Sequence, residues 1–272
     1  MITRKTASDW TPEHVQRLWT YWNSKAHLQG ENFAFMVGAG IVNFLESTRR
    51  LKGVALDYGC GLGFLTERLL HRGLDCYAAE FSPESVELVN TKLQGYTNWK
   101  GATLVRELPT SFDSAFFDVI TCTETIEHLS DELLTQVIAE MRRLVRPGGI
   151  VLFTTPNDED LELAMTYCPF CEAEFHKVQH VRKFTVDSLR ALLESHGFEV
   201  LFCQNINFHE FQRFPELSPA REVNWRLLRE WFVGKKDRFF DRRFPREFPQ
   251  ARDFQRRALA GPHLSAIVTP KV

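Results

Sequence analysis

The chain reads as an α/β protein, a mostly parallel sheet with helices on both faces. Three observations predict it. Short apolar runs alternate with helix-patterned segments from about Lys52 onward. Those runs are apolar throughout rather than on alternate residues, which suits strands covered on both sides. A glycine-rich loop joins the first of them to the helix that follows.

In order, "GVALDYG" reads as a strand and "GFLTERLLHRG" as a helix closed by Gly73. "DCYAAEFS" is a second strand, and "PESVELVNTKL" a helix with proline in its first turn. "ATLVREL" is a weak strand, "FFDVITCTE" a strong one, and "SDELLTQVIAEMRRLV" a helix begun by Ser130. "RPGGIVLFTTPN" is a turn and another strong strand. "TVDSLRALLESHG" is an amphipathic helix, with Thr185 as N-cap and Gly197 at its end. "FEVLFCQNI" and "HLSAIVTPK" supply the last strands. Two segments stand outside the alternation. Residues 1–48 are expected as an N-terminal helical cap, and 208–258 as an insertion before the final strand. The core is then 49–207 plus 259–272, with 157–183 as a lid.

Composition limits the partners. A net charge of −2 over 272 residues gives no global pull toward nucleic acid or anionic membrane. It conceals an asymmetry: Phe208 to Ala258 holds 13 Lys and Arg against eight Asp and Glu, leaving 20 against 27 elsewhere. No signal-peptide core or membrane-length apolar run is visible. Cys60, Cys76, Cys122 and Cys203 scatter through strands and a loop, unlike a disulfide framework, so a reducing cytoplasm is the expected location.

"LDYGCGLG" places Asp57 at the end of the first strand, with glycines at 59, 61 and 63. Glycine there allows a tight turn and close approach of backbone to a ligand. Glu80 ends the second strand, where a carboxylate can accept hydrogen bonds from both hydroxyls of a ribose. The plain alternative is a strand-helix turn without a ligand. The spacing is G-x-G-x-G with an acid two residues ahead, unlike a dinucleotide fingerprint. Such an acid would repel pyrophosphate but suits a cationic amino acid group.

"VALDYGCGLGFLTERL", "YAAEFSPESVELV", "FFDVITCTETIEHL" and "LVRPGGIVLFTTPN" together resemble the successive motifs of class I S-adenosylmethionine-dependent methyltransferases, from about Lys52 to Ile206. The nearest likeness is to ubiquinone-biosynthesis O-methyltransferases and related bacterial small-molecule or sugar methyltransferases. The resemblance implies a Rossmann-like, mostly parallel seven-stranded sheet and S-adenosylmethionine as cofactor. It implies that Asp57, Gly59, Gly61 and Gly63 line the methionine end, Glu80 holds the ribose, Phe81 lies against adenine, and Thr123 runs along the cofactor. The family's acid near the adenine amine has only Glu107, beside Arg106, as its counterpart.

Methyl transfer is a displacement at carbon, so the protein mainly aligns nucleophile and sulfonium. A hydroxyl acceptor must also lose a proton. "TETIEHL" supplies Glu124, Glu127 and His128 just after the fourth strand. His128 is the candidate base, with Glu127 beside it; otherwise the pair simply fixes the loop. E-x-x-E-H also resembles the small-RNA ribose 2′-O-methyltransferases, which use it with a later histidine to bind a divalent metal. His180 stands where that later histidine would be.

"YCPFCEAEFHKVQH" has C-x2-C-x4-H-x3-H spacing, so Cys168, Cys171, His176 and His180 could close a tetrahedral structural zinc site. The bland alternative is buried thiols and lid histidines. Both metal readings need His180, so they exclude one another. In 208–258, nine of the 23 phenylalanines interleave with arginines. A lid packing phenylalanines beside the substrate is the plain reading; a basic surface for an anionic acceptor, a membrane surface, a partner or RNA is the sharper one. The expected function is O-methylation of a small metabolite or saccharide, with nucleic acid disfavoured. The alternatives are a metal-dependent RNA ribose methyltransferase and a non-catalytic cofactor-binding partner subunit.

Overall fold

The computed structural model describes residues 3–6, 9–212, 259 and 261–271. Two-residue β1 (Thr3–Arg4) leads into helices α1 (Pro12–Ser24), α2 (Ala26–Gln29) and α3 (Phe33–Ser47). The alternation then runs β2 (Val54–Tyr58), α4 (Phe64–His71), β3 (Asp75–Glu80), α5 (Pro83–Leu93), β4 (Trp99–Leu104), β5 (Phe117–Thr123), α6 (Asp131–Leu144) and β6 (Val145–Pro156). A short hairpin, β7 (Met165–Cys168) and β8 (Ala173–His176), precedes α7 (Val186–Ser195), β9 (Phe198–Ile206), α8 (Phe208–Phe211) and β10 (His263–Pro270).

Seven strands form the main sheet in the order β4-β3-β2-β5-β6-β10-β9. All neighbours are parallel except β10, which is antiparallel to both β6 and β9. Order reverses at β2, so the crevice beyond the carboxyl ends of β2 and β5 is where such a sheet receives a ligand. Each strand sends alternate residues to opposite faces. Leu56, Ile120, Val151 and Phe153 pack with Ile126 and the buried residues of α6 and α7. Ala55, Val119, Leu152 and Ile267 pack on the other side with α3, α4 and α5. Both faces are dry, which is why the strands read as continuous apolar runs. No helix among the described residues is long and apolar enough to cross a membrane.

Three features depart from the sequence reading. Val37, Ile41, Val42, Phe44 and Leu45 of α3 are buried in the core, so only the segment ahead of α3 acts as a cap. Residues 157–183, expected only as a lid, carry strands that the sequence reading did not assign: β7 and β8 pair antiparallel, and β1 joins β8 in parallel to make a separate three-stranded sheet. Strands this short leave too little periodicity to detect. Of the expected Phe/Arg-rich insertion, 213–258 lies outside the described residues.

Close packing of α3 on α8 has a steric condition. A Cβ added at Gly40 would lie 2.1 Å from the Phe208 carbonyl oxygen. Gly30, by contrast, has right-handed helical dihedrals and nothing within 4 Å of such a Cβ. Urea denaturation should therefore show Gly40→Ala losing about 1–3 kcal/mol of stability. Gly30→Ala should be neutral or gain up to about 1 kcal/mol. Equal effects at the two positions would contradict this packing.

Candidate active site

A cavity of about 970 Å³ opens at the carboxyl ends of β2, β3 and β5. Its floor is the glycine loop: Asp57, Gly59, Cys60 and Gly61 line it, with Glu80, Phe81, Arg106, Glu107, Thr123 and Glu124 beyond. Glu80 organises this end. Its Oε2 accepts from the Gly61 N–H at 2.9 Å, and its Oε1 from the N–H groups of Phe81 (2.8 Å) and Ser82 (3.3 Å). Burial pushes its carboxyl upward against the pull of those three donors. Glu80 thus ties the loop to the end of β3 while still facing the cavity.

Asp57 is almost fully buried, and burial raises its carboxyl as well. Thr66 and Thr121 donate hydroxyls to its Oδ2 (2.6 Å) and Oδ1 (2.8 Å), fixing its rotamer. Gly59, Gly61 and Gly63 all adopt positive φ. A Cβ at Gly59 would strike Thr125 Oγ1 at 2.6 Å, so the glycine loop abuts the loop after β5. Gly63 differs: a Cβ there would press Val89 Cγ1 at 3.1 Å, so it serves helix packing rather than the cavity wall.

The other end of the cavity is built by two loops. Glu124 follows β5 with φ 46°, a strained value for a side chain of this size. Its N–H donates to the Thr154 carbonyl at 3.0 Å, and Thr154 Oγ1 donates to Glu124 Oε1 at 3.0 Å. His263 Nδ1 lies 3.9 Å from the same carboxylate oxygen. Burial raises the Glu124 carboxyl to about 8. A 3-10 turn at Ile126–His128 then turns Glu127 inward.

The second loop, after β8, is stitched to that turn. Val181 N–H donates to the Glu127 carbonyl (3.0 Å), and Gln179 Nε2 to the His128 carbonyl (2.8 Å). His128 Nδ1 meets the Gln179 carbonyl at 3.3 Å. A carbonyl only accepts, so Nδ1 of neutral His128 carries the proton and Nε2 a lone pair. His180 Nδ1 lies 2.5 Å from Glu159 Oε2, which gives it the same tautomer. The two Nε2 atoms lie 3.8 Å (His128) and 4.0 Å (His180) from Glu127 Oε1.

Glu127 is 1% exposed, and neither carboxylate oxygen has a hydrogen-bond partner within 3.5 Å. Burial, then neighbouring Glu124, pushes its carboxyl well above the usual range. His128 moves the other way: burial, then His180, lowers it to about 3. It is therefore neutral at physiological pH and a weaker base than the sequence reading expected. Glu127, His128 and His180 form one group able to hold a metal ion, all donor atoms within 4.8 Å of one another. Glu124, fourth in the E-x-x-E-H pattern with His180, is engaged by Thr154 instead.

The expected zinc set is not assembled. Cys168 pairs with Ala173 near the hairpin turn, whereas His176 pairs with Met165 three residues away. Side chains alternate across a ribbon, so Cys168 and His176 point to opposite faces, with about 10 Å of strand between their levels. Cys171 is exposed. His176 and His180 stack with ring centroids 4.7 Å apart and meet Glu159, forming a second donor group that shares His180. The sequence reading missed Glu159, since nothing in "NDED" separates it from its acidic neighbours.

Roofing the cavity are Trp10, Val15, Trp19 and Trp22, with Phe33 and Leu133 on its walls. Trp19 meets the His128 ring edge-on at 5.1 Å. Asn23 Nδ2 donates to Ser85 Oγ at 3.0 Å and holds α1 over α5.

Comparison with known proteins agrees with this architecture. A family model described as a methyltransferase domain matches residues 28–201, more than half of the chain. A ubiquinone biosynthesis O-methyltransferase of Azotobacter vinelandii is 36% identical over 201 residues, covering 70% of this chain and 83% of that protein. The Methylococcus capsulatus protein of the same name is 34% identical over 122 residues, 43% of this chain and about half (49%) of its own length. In structure, the Burkholderia thailandensis 1,6-didemethyltoxoflavin-N1-methyltransferase superposes with a TM-score of 0.58 at 15% identity, over 97% of this chain and 92% of that one. That solved complex contains S-adenosylhomocysteine and its acceptor, and at this identity it bears on the fold alone. Sheet order, the glycine loop clamped by Glu80 and these matches agree: the chain belongs to the class I S-adenosylmethionine-dependent methyltransferases.

Proposed function

We propose that this chain transfers the methyl group of S-adenosylmethionine to an oxygen of a small hydroxylated acceptor, assisted by a divalent cation on Glu127, His128 and His180. One observation carries the reading. Three acceptor atoms converge on a small volume beside the cofactor cavity, and the hydrogen bonds of both histidines place no hydrogen among them. An isolated buried carboxylate costs several kcal/mol unless it is protonated or neutralised. A cation neutralises it and uses both imidazole lone pairs. This donor set of two imidazoles and one carboxylate suits a first-row divalent metal and leaves positions for an acceptor.

Bound there, the cation would coordinate acceptor oxygen and lower the pKa of its hydroxyl. The chain's own residues do the rest. Glu80 takes the ribose hydroxyls, Phe81 lies beside the adenine, and Asp57 with Gly59 and Gly61 lines the methionine end. Thr123 runs along the cofactor between them. Glu124, raised to about 8 by burial, can accept the acceptor's proton only in its ionised form, a minority at neutral pH that grows as pH rises. His128 acts as a ligand rather than a base. Trp19, Trp22 and Phe33 favour a flat, phenolic acceptor over a bare saccharide, in keeping with the names of the relatives.

Two measurements test this. Glu80→Ala should weaken S-adenosylhomocysteine binding in calorimetry about 10- to 100-fold; unchanged affinity would remove Glu80 from the cofactor site. Methyl transfer to 3,4-dihydroxybenzoate should cease with chelator and return with manganese or another first-row divalent metal. Glu127→Gln should lose at least about 100-fold in rate, with cofactor affinity retained. Chelator-resistant turnover would contradict the cation.

A further inference from the structure

The second donor group invites a choice. Glu159, His176 and His180 could hold an ion of their own, or they could serve the first group. Hydrogen positions decide it. His176 is 4% exposed, and its Nδ1 accepts the backbone N–H of His180 at 3.0 Å. A neutral imidazole with one nitrogen accepting must carry its proton on the other. Its Nε2 is therefore a donor, and it faces Glu159 Oε1 at 3.5 Å. Glu159 Oε2 meets His180 Nδ1. One N–H group, that of His180, thus bonds this carboxylate, and a second, that of His176, lies 3.5 Å away without an aligned bond; a cation would have to displace the first. At Glu127 the neighbouring donors, its own backbone N–H and the Thr155 hydroxyl, form no aligned bond to the carboxylate.

The surroundings fit the same reading. His180 and His176 flank the Glu159 carboxylate, one at each oxygen. The other titratable groups facing it are the acids Glu124 and Glu127, and His128. Its backbone is held too. Asp158 N–H donates to the Phe184 carbonyl at 2.8 Å, and Lys183 Nζ pairs with Asp158 Oδ1 at 2.8 Å. Glu159 therefore stands on a fixed segment, with one oxygen for each histidine.

We infer that Glu159 is a positioning residue: it holds His180 in the Nδ1–H tautomer, aims Nε2 at Glu127, and is itself steadied by His176. This rests on the cation reading above and adds a layer to it. A carboxylate behind a ligating histidine fixes ring orientation and raises ligand basicity. The two histidines of the C-x2-C-x4-H-x3-H stretch then have different tasks. His180 is a ligand, and His176 supports the carboxylate that orients it.

The test uses the full chain, selectively 15N-histidine labelled, with His180 assigned through His180→Gln. In metal-free wild type, long-range 1H–15N correlation should show His180 as the Nδ1–H tautomer. Glu159→Ala should shift it toward Nε2–H, and Glu159→Asp should restore part of the original signal. Manganese titration followed by electron paramagnetic resonance should give one site in wild type and about 10- to 100-fold weaker binding in Glu159→Ala. Glu127→Gln should abolish binding. If the tautomer does not change in Glu159→Ala, the positioning role is wrong. It is also wrong if Glu127→Gln keeps full affinity while Glu159→Ala loses the site, for then the ion sits between Glu159, His176 and His180. Absence of manganese binding in wild type would instead sink the cation reading, and the tautomer result would still decide the role of Glu159.

Discussion

The candidate site depends on one contact, the reciprocal hydrogen bonding of two loops distant in sequence. Val181 and Gln179 donate to the carbonyls of Glu127 and His128, and His128 returns a bond through Nδ1 to the carbonyl of Gln179. Each bond is worth about 1 kcal/mol net. Their larger effect is geometric. They fix the ring of His128, set its tautomer and bring His180 alongside, so that both lone pairs fall on Glu127. Gln179 reaches this position with φ 62°. Such strain is retained where surrounding structure over-determines it, and Gln179 is bonded on three sides.

Electrostatics at the two ends of the cavity follow from burial handled in opposite ways. At the glycine-loop end, Asp57 and Glu80 are buried but held, one by two threonine hydroxyls and the other by three backbone N–H groups. At the other end, Glu127 is buried with no aligned hydrogen bond, only its own N–H and the Thr155 hydroxyl nearby. A folded protein rarely leaves such a group without a partner. The first arrangement fixes a rotamer, and the second, on the cation reading proposed above, reserves a place for something positive.

Much of this was legible in the sequence, for identifiable reasons. The parallel sheet was readable because strands dry on both faces leave long apolar runs. The tight glycine turn and the position of Glu80 at the end of β3 were readable because positive-φ turns demand glycine and the strand pattern marks where β3 ends. The Cys/His stretch was not, since spacing along a chain does not report which face of a ribbon a side chain takes. Of four donors at zinc-like intervals, Cys168 and His176 fall on opposite faces of a hairpin of four-residue strands. Glu159 carried no signal either, because its importance arises only where Asn157 and Phe184 bring two segments together. Likewise, His128 stands in the motif where a base is wanted, yet burial beside His180 makes it a neutral lone-pair donor.

The most direct test of the central claim is anomalous diffraction from crystals of the metal-free protein soaked in manganese. The account predicts one peak within bonding distance of the Glu127 carboxylate and of Nε2, not Nδ1, of His128 and His180. A peak between Glu159, His176 and His180, a peak on Cys168 and Cys171, or no peak despite saturating manganese would contradict it.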